Sequence, residues 1–255
     1  MAMEAKAQYV RRFGPQWPER LTAQVELAAR LTHGLAPLVD ALASKPTARR
    51  LAARLTGLAP ARDIVRFDRR PLYARWPRVQ PGAGPRVIYY AGCYAGYIRP
   101  ALGEAALRVL GRMGCEVHLP SQFCCGLPQI SKGLAAGARR AMRRNLKSWG
   151  RLLPEVDHIV VTCSSCGYAL MQDWSYLLNE REAASVRAKT VHISHLLNQY
   201  GERVTLGTLP LSMAYHQPCH LRLQTDSDSS LRLLKAVPGS HLHDLRSHCC
   251  GMAGS

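Results

Sequence analysis

Cys93, the adjacent pair Cys124–Cys125 and Cys163-Ser-Ser-Cys166 spell a long-spaced pattern, C-x30-C-C-x37-C-x-x-C. The pattern begins again at Cys219, continues at Cys249-Cys250-Gly251, and reaches Ser255 without a second C-x-x-C. Eight of the nine cysteines fall on this template, and only Cys115 stands outside it. Thiolates are soft donors, suited to iron–sulfur clusters and to structural zinc. A structural zinc site takes four ligands, usually from two tight knuckles. One repeat here offers five thiols from three separate loops. Adjacent cysteines chelate a single tetrahedral ion poorly, but they can bind different irons of one cluster. The glycine after each pair lets the backbone close around a bulky inorganic core. Zinc in one or both repeats is the alternative. A thioredoxin-like reading of Cys163-x-x-Cys166 leaves Cys93, Cys124 and Cys125 unexplained. Burial as small hydrophobes does not account for a template that occurs twice. Cys115 fits a strand interior. His216, His220, His243 and His248 flank the second repeat and are expected to hydrogen-bond backbone or cluster sulfur, with replacement of a missing thiolate as the other option. Lys132 and the Arg139–Arg144 face read first as a solvated helix surface, and otherwise as charge favouring a reduced cluster.

The elements that must position these residues alternate between strand and helix. Arg86–Gly92 is a candidate buried strand ending at the first cysteine. Pro100–Met113 is a helix, Gly114–Leu119 a second strand, Ser131–Leu153 a strongly basic helix, and Val156–Thr162 a third strand ending at Cys163. Each cysteine group follows a strand, where open α/β sheets place their ligands. A second unit repeats the layout: strand 211–217 before Cys219, helix 229–236, then strand 241–245. The matching spacings of Cys93 to Cys124 and Cys219 to Cys249 predict an internal duplication with an incomplete second copy. Before residue 86, an apolar stripe of Leu21, Val25, Ala28, Leu31, Leu35, Leu38 and Val39 predicts helix over 18–56, interrupted at Pro46. Residues 57–85 hold no period and predict an extended connector. The division expected is 1–85, a basic helical segment and connector; 86–208, a first cysteine-rich domain; and 209–255, an incomplete second one.

With 255 residues, 47% hydrophobic and 20% charged, the chain can bury a core without staples. No apolar run approaches the ~18 residues of a membrane-spanning helix, and the start carries no secretory signal. These features predict a cytoplasmic protein with reduced thiols. The net charge is +17, and residues 1–86 hold sixteen Lys/Arg against six Asp/Glu. An anionic membrane face or an acidic protein suits such a field. Nucleic acid is not expected, since no zinc-finger spacing, aromatic-basic RNA motif or helix-turn-helix is present.

The residues around the cysteines carry a resemblance. Leu119-Pro-Ser-Gln-Phe-Cys-Cys-Gly-Leu-Pro-Gln129, Val161-Thr-Cys-Ser-Ser-Cys-Gly167 and Tyr215-His-Gln-Pro-Cys-His-Leu221 resemble the cysteine-rich "CCG" domain found in the B subunit of heterodisulfide reductase. The domain recurs in iron–sulfur subunits of glycolate, lactate and glycerol-3-phosphate oxidising complexes. These segments are most similar to the C subunits of anaerobic glycerol-3-phosphate dehydrogenases, as is Arg66-Phe-Asp-Arg-Arg-Pro71. The resemblance implies tandem Rossmann-like units with parallel-type sheets after a helical N-terminal segment. It implies a [4Fe-4S] cluster, of the unusual non-cubane type in heterodisulfide reductase, held by Cys93, Cys124, Cys125, Cys163 and Cys166. Ligand roles carry over provisionally to Cys219, Cys249 and Cys250. Implied partners are flavoprotein dehydrogenase subunits, with peripheral binding to the cytoplasmic face of the inner membrane and delivery to quinone. The chain would pass electrons without itself acting on the sugar phosphate. Other readings are a heterodisulfide reductase-like thiol redox protein, a zinc-stabilised structural remnant, and an iron–sulfur component of a glycolate or lactate oxidase complex. The family's usual ferredoxin module has no match here, so the sequence reads as the middle of a longer, truncated protein.

Overall fold

A computed structural model describes residues 2–35, 41, 44–56, 66–201 and 204–245. The expectations for Leu38, Val39, His248, Cys249 and Cys250, and for residues 57–65 of the connector, lie outside the described residues. The chain gathers into two compact units, each built from separate stretches. Residues 1–77, 91–104 and 121–147 form the first, and residues 78–90, 105–120 and 148–255 the second.

The first unit is helical. It opens with α1 (Ala2–Phe13), α2 (Trp17–Thr22) and α3 (Val25–Thr32). The continuous helix expected from residue 18 is therefore corrected: it breaks at Ala23-Gln24, and Ala23 in the break and Ala29 in α3 are buried. A 3-10 turn follows at His33–Leu35, and α4 (Pro46–Thr56) starts afresh on a proline. Pro46 has no amide hydrogen to give, so it suits the first turn of a new helix better than the interior of an old one. The connector is also not wholly extended, because α5 (Leu72–Arg75) turns Leu72 into complete burial. α6 (Pro100–Arg112) agrees with the sequence reading. The helix expected over 131–153 is shortened to α8 (Ala135–Trp149), and a separate short helix, α7 (Leu127–Ser131), precedes it. Gly133 lies between them at φ +75°, a conformation that ends a helix, and a Cβ there would sit 2.8 Å from the Lys6 carbonyl oxygen of α1.

The second unit holds the main sheet. Val87, Ile88, Tyr89 and Tyr90, and likewise Ile159, Val160 and Val161, are fully buried. Unbroken apolar runs of this kind suit strands covered on both faces. The strands are β1 (Val79–Gln80), β2 (Arg86–Tyr90), β3 (Glu116–His118), β4 (His158–Val161) and β5 (Thr190–His192), in the order β1-β3-β2-β4-β5. All neighbours run parallel except β1 against β3. The protein is thus mixed α/β with a mainly parallel sheet. After β4 come α9 (Ser164–Tyr168), a π-helical turn at Ala169–Asp173, α10 (Trp174–Leu177), α11 (Glu180–Lys189) and α12 (Ile193–Gln199). Trp149 stacks on Trp174 at 5.9 Å between ring centroids, and Tyr90 meets Trp149 edge-on at 5.5 Å.

A separate two-stranded parallel sheet pairs β6 (Ser212–Tyr215) with β7 (His241–Asp244), around α13 (Cys219–Arg222) and α14 (Ser229–Lys235). Its register repeats that of β2 and β3. Ile88, five residues before Cys93, pairs with His118, six residues before Cys124. Ala214, five residues before Cys219, pairs with His243, six residues before Cys249.

Asp173 ends the π-helical turn with 1% exposure, and neither carboxylate oxygen has a hydrogen-bond partner among the described residues. Burial alone pushes its pKa from 3.8 up to about 6. The folded value exceeds the unfolded one, so this group favours folding only when protonated. That contribution is complete below pH 3.8 and is lost as pH rises through about 6. Asp173→Asn should therefore stabilise the fold by about 2 kcal/mol at pH ~7.5. The gain should fade towards pH ~4 in urea unfolding, and an equal gain at both pH values would refute this account.

Candidate metal centre

Cys93, Cys124 and Cys125 come together in the first unit. Cys93 follows β2 by three residues and leads into a π-helical turn, Tyr94–Ile98. Cys124 and Cys125 are buried, in the loop between β3 and α7. Gly126 closes that loop at φ +93°, with Met142 Cε 3.1 Å and Ala138 Cβ 3.2 Å from where a Cβ would lie. A side chain there would strain the backbone and press on α8.

The thiols of Cys93 and Cys125 both hydrogen-bond to Cys124, and the Gly126 amide donates to Cys124 Sγ at 3.5 Å. The Cys125 and Cys93 thiols, followed by the backbone amides, hold the Cys124 thiol far below its ordinary range, at about 3. Cys93 moves the other way, well up, because it is hydrogen-bonded to Cys124 and buried beside other negative groups. The arrangement favours the deprotonated form at Cys124, the form of cysteine that binds metal.

The loop is held by residues distant in sequence. Asn145, fully buried on α8, accepts from the Phe123 amide at 2.8 Å. Its amide group donates to the carbonyls of Phe123, Cys124 and Ala141 at 3.1, 3.3 and 3.2 Å. Glu26 of α3 accepts from the Cys124 amide at 2.5 Å and pairs with Arg30 at 2.7 Å. Arg30 donates to the Gln122 carbonyl at 2.6 Å. Gln122 Oε1 accepts from the Ala91 amide at 3.0 Å and from the Tyr73 hydroxyl at 3.3 Å, linking the Cys93 and Cys124 segments of the site. The Phe123 ring lies between two guanidiniums, Arg30 at 4.6 Å and Arg144 at 3.7 Å. On the basic α8 face Arg139, Arg140, Arg143 and Arg144 are all exposed, as a solvated surface would be, and Arg144 also stacks beside the cysteine loop on Phe123. Glu26 and Asn145 carry no motif signal, and the sequence reading missed them; Gln122 lies within the Leu119–Gln129 segment that carries the resemblance, with no role read from it.

Cys163 and Cys166 lie in the second unit, on the turn from β4 into α9. Cys163 is the N-cap residue and Cys166 is buried within the helix. Tyr89 sits nearby, its hydroxyl 3.0 Å from Thr162 Oγ1. Burial, reinforced by the charges of Cys166 and Cys163, raises the Tyr89 pKa to about 12. Cys219, in the same unit, is exposed at the first position of α13. The next residue, His220, bonds Ser165 Oγ through Nδ1 at 2.9 Å, a side-chain partner rather than the backbone or sulfur expected. Burial lowers its pKa. Cys115 is a core residue with no exposure. All described cysteines are free thiols, and among the described residues no three His, Cys, Asp or Glu side chains gather closely enough to enclose a single metal ion.

A cysteine-rich domain model, CCG, matches residues 87–171 and 213–255. The chain belongs to the CCG family. It is 28% identical over 242 residues to the C subunit of the anaerobic glycerol-3-phosphate dehydrogenase of Escherichia coli K12, covering 91% of this chain and 61% of that protein. It is 30% identical over 175 residues to the B subunit of the fumarate reductase (CoM/CoB) of Methanothermobacter marburgensis, covering 67% and 34%. Lactate utilization protein A of Geobacillus thermodenitrificans is 29% identical over 180 residues, covering 67% and 73%. The chain thus spans about three fifths of the Escherichia coli relative's length. No solved structure matches it.

Asn145→Leu should leave the Phe123 amide and three carbonyls without their partner. The expected cost is about 2–4 kcal/mol in chemical unfolding. Loss under ~1 kcal/mol would mean the loop keeps its shape without Asn145.

Proposed function

We propose that this chain is an iron–sulfur electron-transfer subunit, or a segment of one, serving a flavin-dependent, quinone-linked glycerol-3-phosphate dehydrogenase. The observation that carries the reading is the trio Cys93, Cys124 and Cys125, brought together at one loop with the Gly126 amide donating to Cys124 Sγ, inside a CCG-family chain. A [4Fe-4S] cluster, once bound, takes up and releases single electrons. The trio would supply three ligands, and Cys163 and Cys166 the remaining two by the family's pattern. Cys219, Cys249 and Cys250 would serve a second site. Glu26, Gln122 and Asn145 hold the cysteine loop in place. The adjacent Cys124 and Cys125 suit different irons of one group better than a single zinc ion, which needs four donors converging on a point. The glycerol-3-phosphate assignment rests on the long similarity to the Escherichia coli protein, which reaches well beyond the cysteine segments.

Tandem Rossmann-like units belong to the same proposal, divided as 86–208 and 209–255 after a basic segment of 1–85. The repeated register of β2–β3 and β6–β7 supports the duplication. Anaerobically purified protein should be brown, with iron and sulfide near ~4 per chain and a paramagnetic signal in one redox state. Zinc without sulfide, or no metal, would sink the redox assignment.

Docking to the cytoplasmic membrane face is proposed for the first unit. Among the described residues no helix is long and apolar enough to cross a membrane. A groove of about 750 Å³ between α1, α2, α3 and α8 is lined by Trp17, Leu21, Leu27 and Leu31, all exposed, with Arg11, Arg20 and Arg140 at its border. Apolar surface rimmed by arginine suits an anionic bilayer surface. The protein should sediment with phosphatidylglycerol vesicles and not with phosphatidylcholine vesicles. Replacing the three arginines by glutamine should weaken binding about a hundredfold, at about 1 kcal/mol per basic residue. Equal binding to both vesicle types would refute the anionic docking.

A further inference from the structure

The C-x-x-C of the first family match and the opening of the second meet inside one compact unit. α9 packs against α13, and the contact is polar and specific. Ser165, one of the two residues between Cys163 and Cys166, bonds His220 Nδ1 at 2.9 Å. The imidazole lies flat on the Tyr168 ring, 4.9 Å between centroids and 11° from parallel. Gln224, two residues past the end of α13 and itself buried, donates to the Ser164 carbonyl at 2.6 Å and to the His220 carbonyl at 3.1 Å. Its head fills the space above Gly167, where a Cβ would lie 2.7 Å from Gln224 Oε1. Two side chains from the opening of the second segment thus grip the turn that follows Cys163.

We propose that His220 is a positioning residue for the Cys163–Cys166 pair, acting through Ser165, so that the second family segment clasps the ligand turn of the first. The clasp requires nothing of Cys249 and Cys250. It gives the second repeat a role in this chain that is independent of any cluster of its own. Only the identity of what Cys163 and Cys166 bind rests on the iron–sulfur reading; the grip on their turn is a matter of the chain's own residues.

The test follows the rate at which Cys163 and Cys166 are alkylated by iodoacetamide in metal-free protein, read by peptide mass mapping. Ser165→Ala removes one hydroxyl and is the variant least able to disturb folding. It and His220→Ala should each speed alkylation about three- to tenfold, the range set by one net hydrogen bond. The double variant should be no faster than either single one, since both break the same link. His220→Asn, whose amide can reach Ser165, should stay near the parent rate. Reconstituted with iron and sulfide, Ser165→Ala should also shift the cluster's paramagnetic spectrum and midpoint potential relative to the parent. Parent-like alkylation in Ser165→Ala, additive effects in the double variant, or His220→Asn behaving as His220→Ala would each overturn the clasp. Failure of the parent to take up iron and sulfide would instead defeat the cluster reading, with the alkylation rates still deciding the clasp.

Discussion

Asn145 is wholly buried and spends most of its side-chain amide on the loop that carries two adjacent cysteines, with one further bond to Ala141 of its own helix. Much of the first unit's polar interior is organised around that loop. Thiols so close cannot all ionise, and a buried thiolate is tolerable only where donors converge on it. The Cys93 and Cys125 thiols and the Gly126 amide meet that need at Cys124. Gly126 is fixed by the same requirement, because the loop must turn through a left-handed conformation against α8. Glu26 and Arg30 then tie α3 to the loop, which explains how a helix nearly a hundred residues upstream belongs to the site.

The second unit follows from a different constraint. Its strands are apolar on both faces, so the sheet needs helical cover, and parallel pairing needs long crossovers. Those crossovers are where the cysteine loops occur. The approach from β4 is the shortest of them, only Thr162 separating the strand from Cys163, and this turn is reinforced from elsewhere by His220 and Gln224. The adjacent π-helical turn keeps Asp173 buried with neither oxygen hydrogen-bonded among the described residues, a local cost set beside an aromatic core of Trp149, Trp174 and Tyr90.

What was legible in the sequence came from two strong signals. Runs such as Val87-Ile-Tyr-Tyr and Ile159-Val-Val announce buried strands, and the cysteine spacing points to the strands that precede Cys124, Cys219 and Cys249; β1 and β5 are too short to announce themselves. The cysteine template marked the residues that the fold gathers as Cys93, Cys124 and Cys125. Long-range contacts left no such trace. Glu26 and Asn145 look like ordinary helix residues until the fold brings them to the loop. The helix over 18–56 misled because the apolar stripe is not a core face: Leu21 and Leu31 are exposed, and the residues buried around the break are Ala23 and Ala29. Gly133 marked the division between α7 and α8, but a lone glycine in a helical pattern is a weak stop signal.

The repeated register carries the most weight for how the two family matches are related. A single-residue slip would turn every side chain of a strand to the other face, so register is kept only where the faces are specified. β6 and β7 retain the pairing of β2 and β3, relative to their cysteines, while their own side chains are far more exposed. Ala214 is exposed where Ile88 is fully buried, and His243 is exposed where His118 is half-buried. The pairing is thus kept with little of the burial that normally enforces it. The segment is anchored at α13, where Leu221 and Gln224 are buried and His220 is bonded to α9, and at α14, where the fully buried Ser229 bonds Ser194 and Asn198 of α12. The small sheet accordingly takes its anchorage from the helices between its two strands, and the first of them, α13, bonds the turn that follows Cys163.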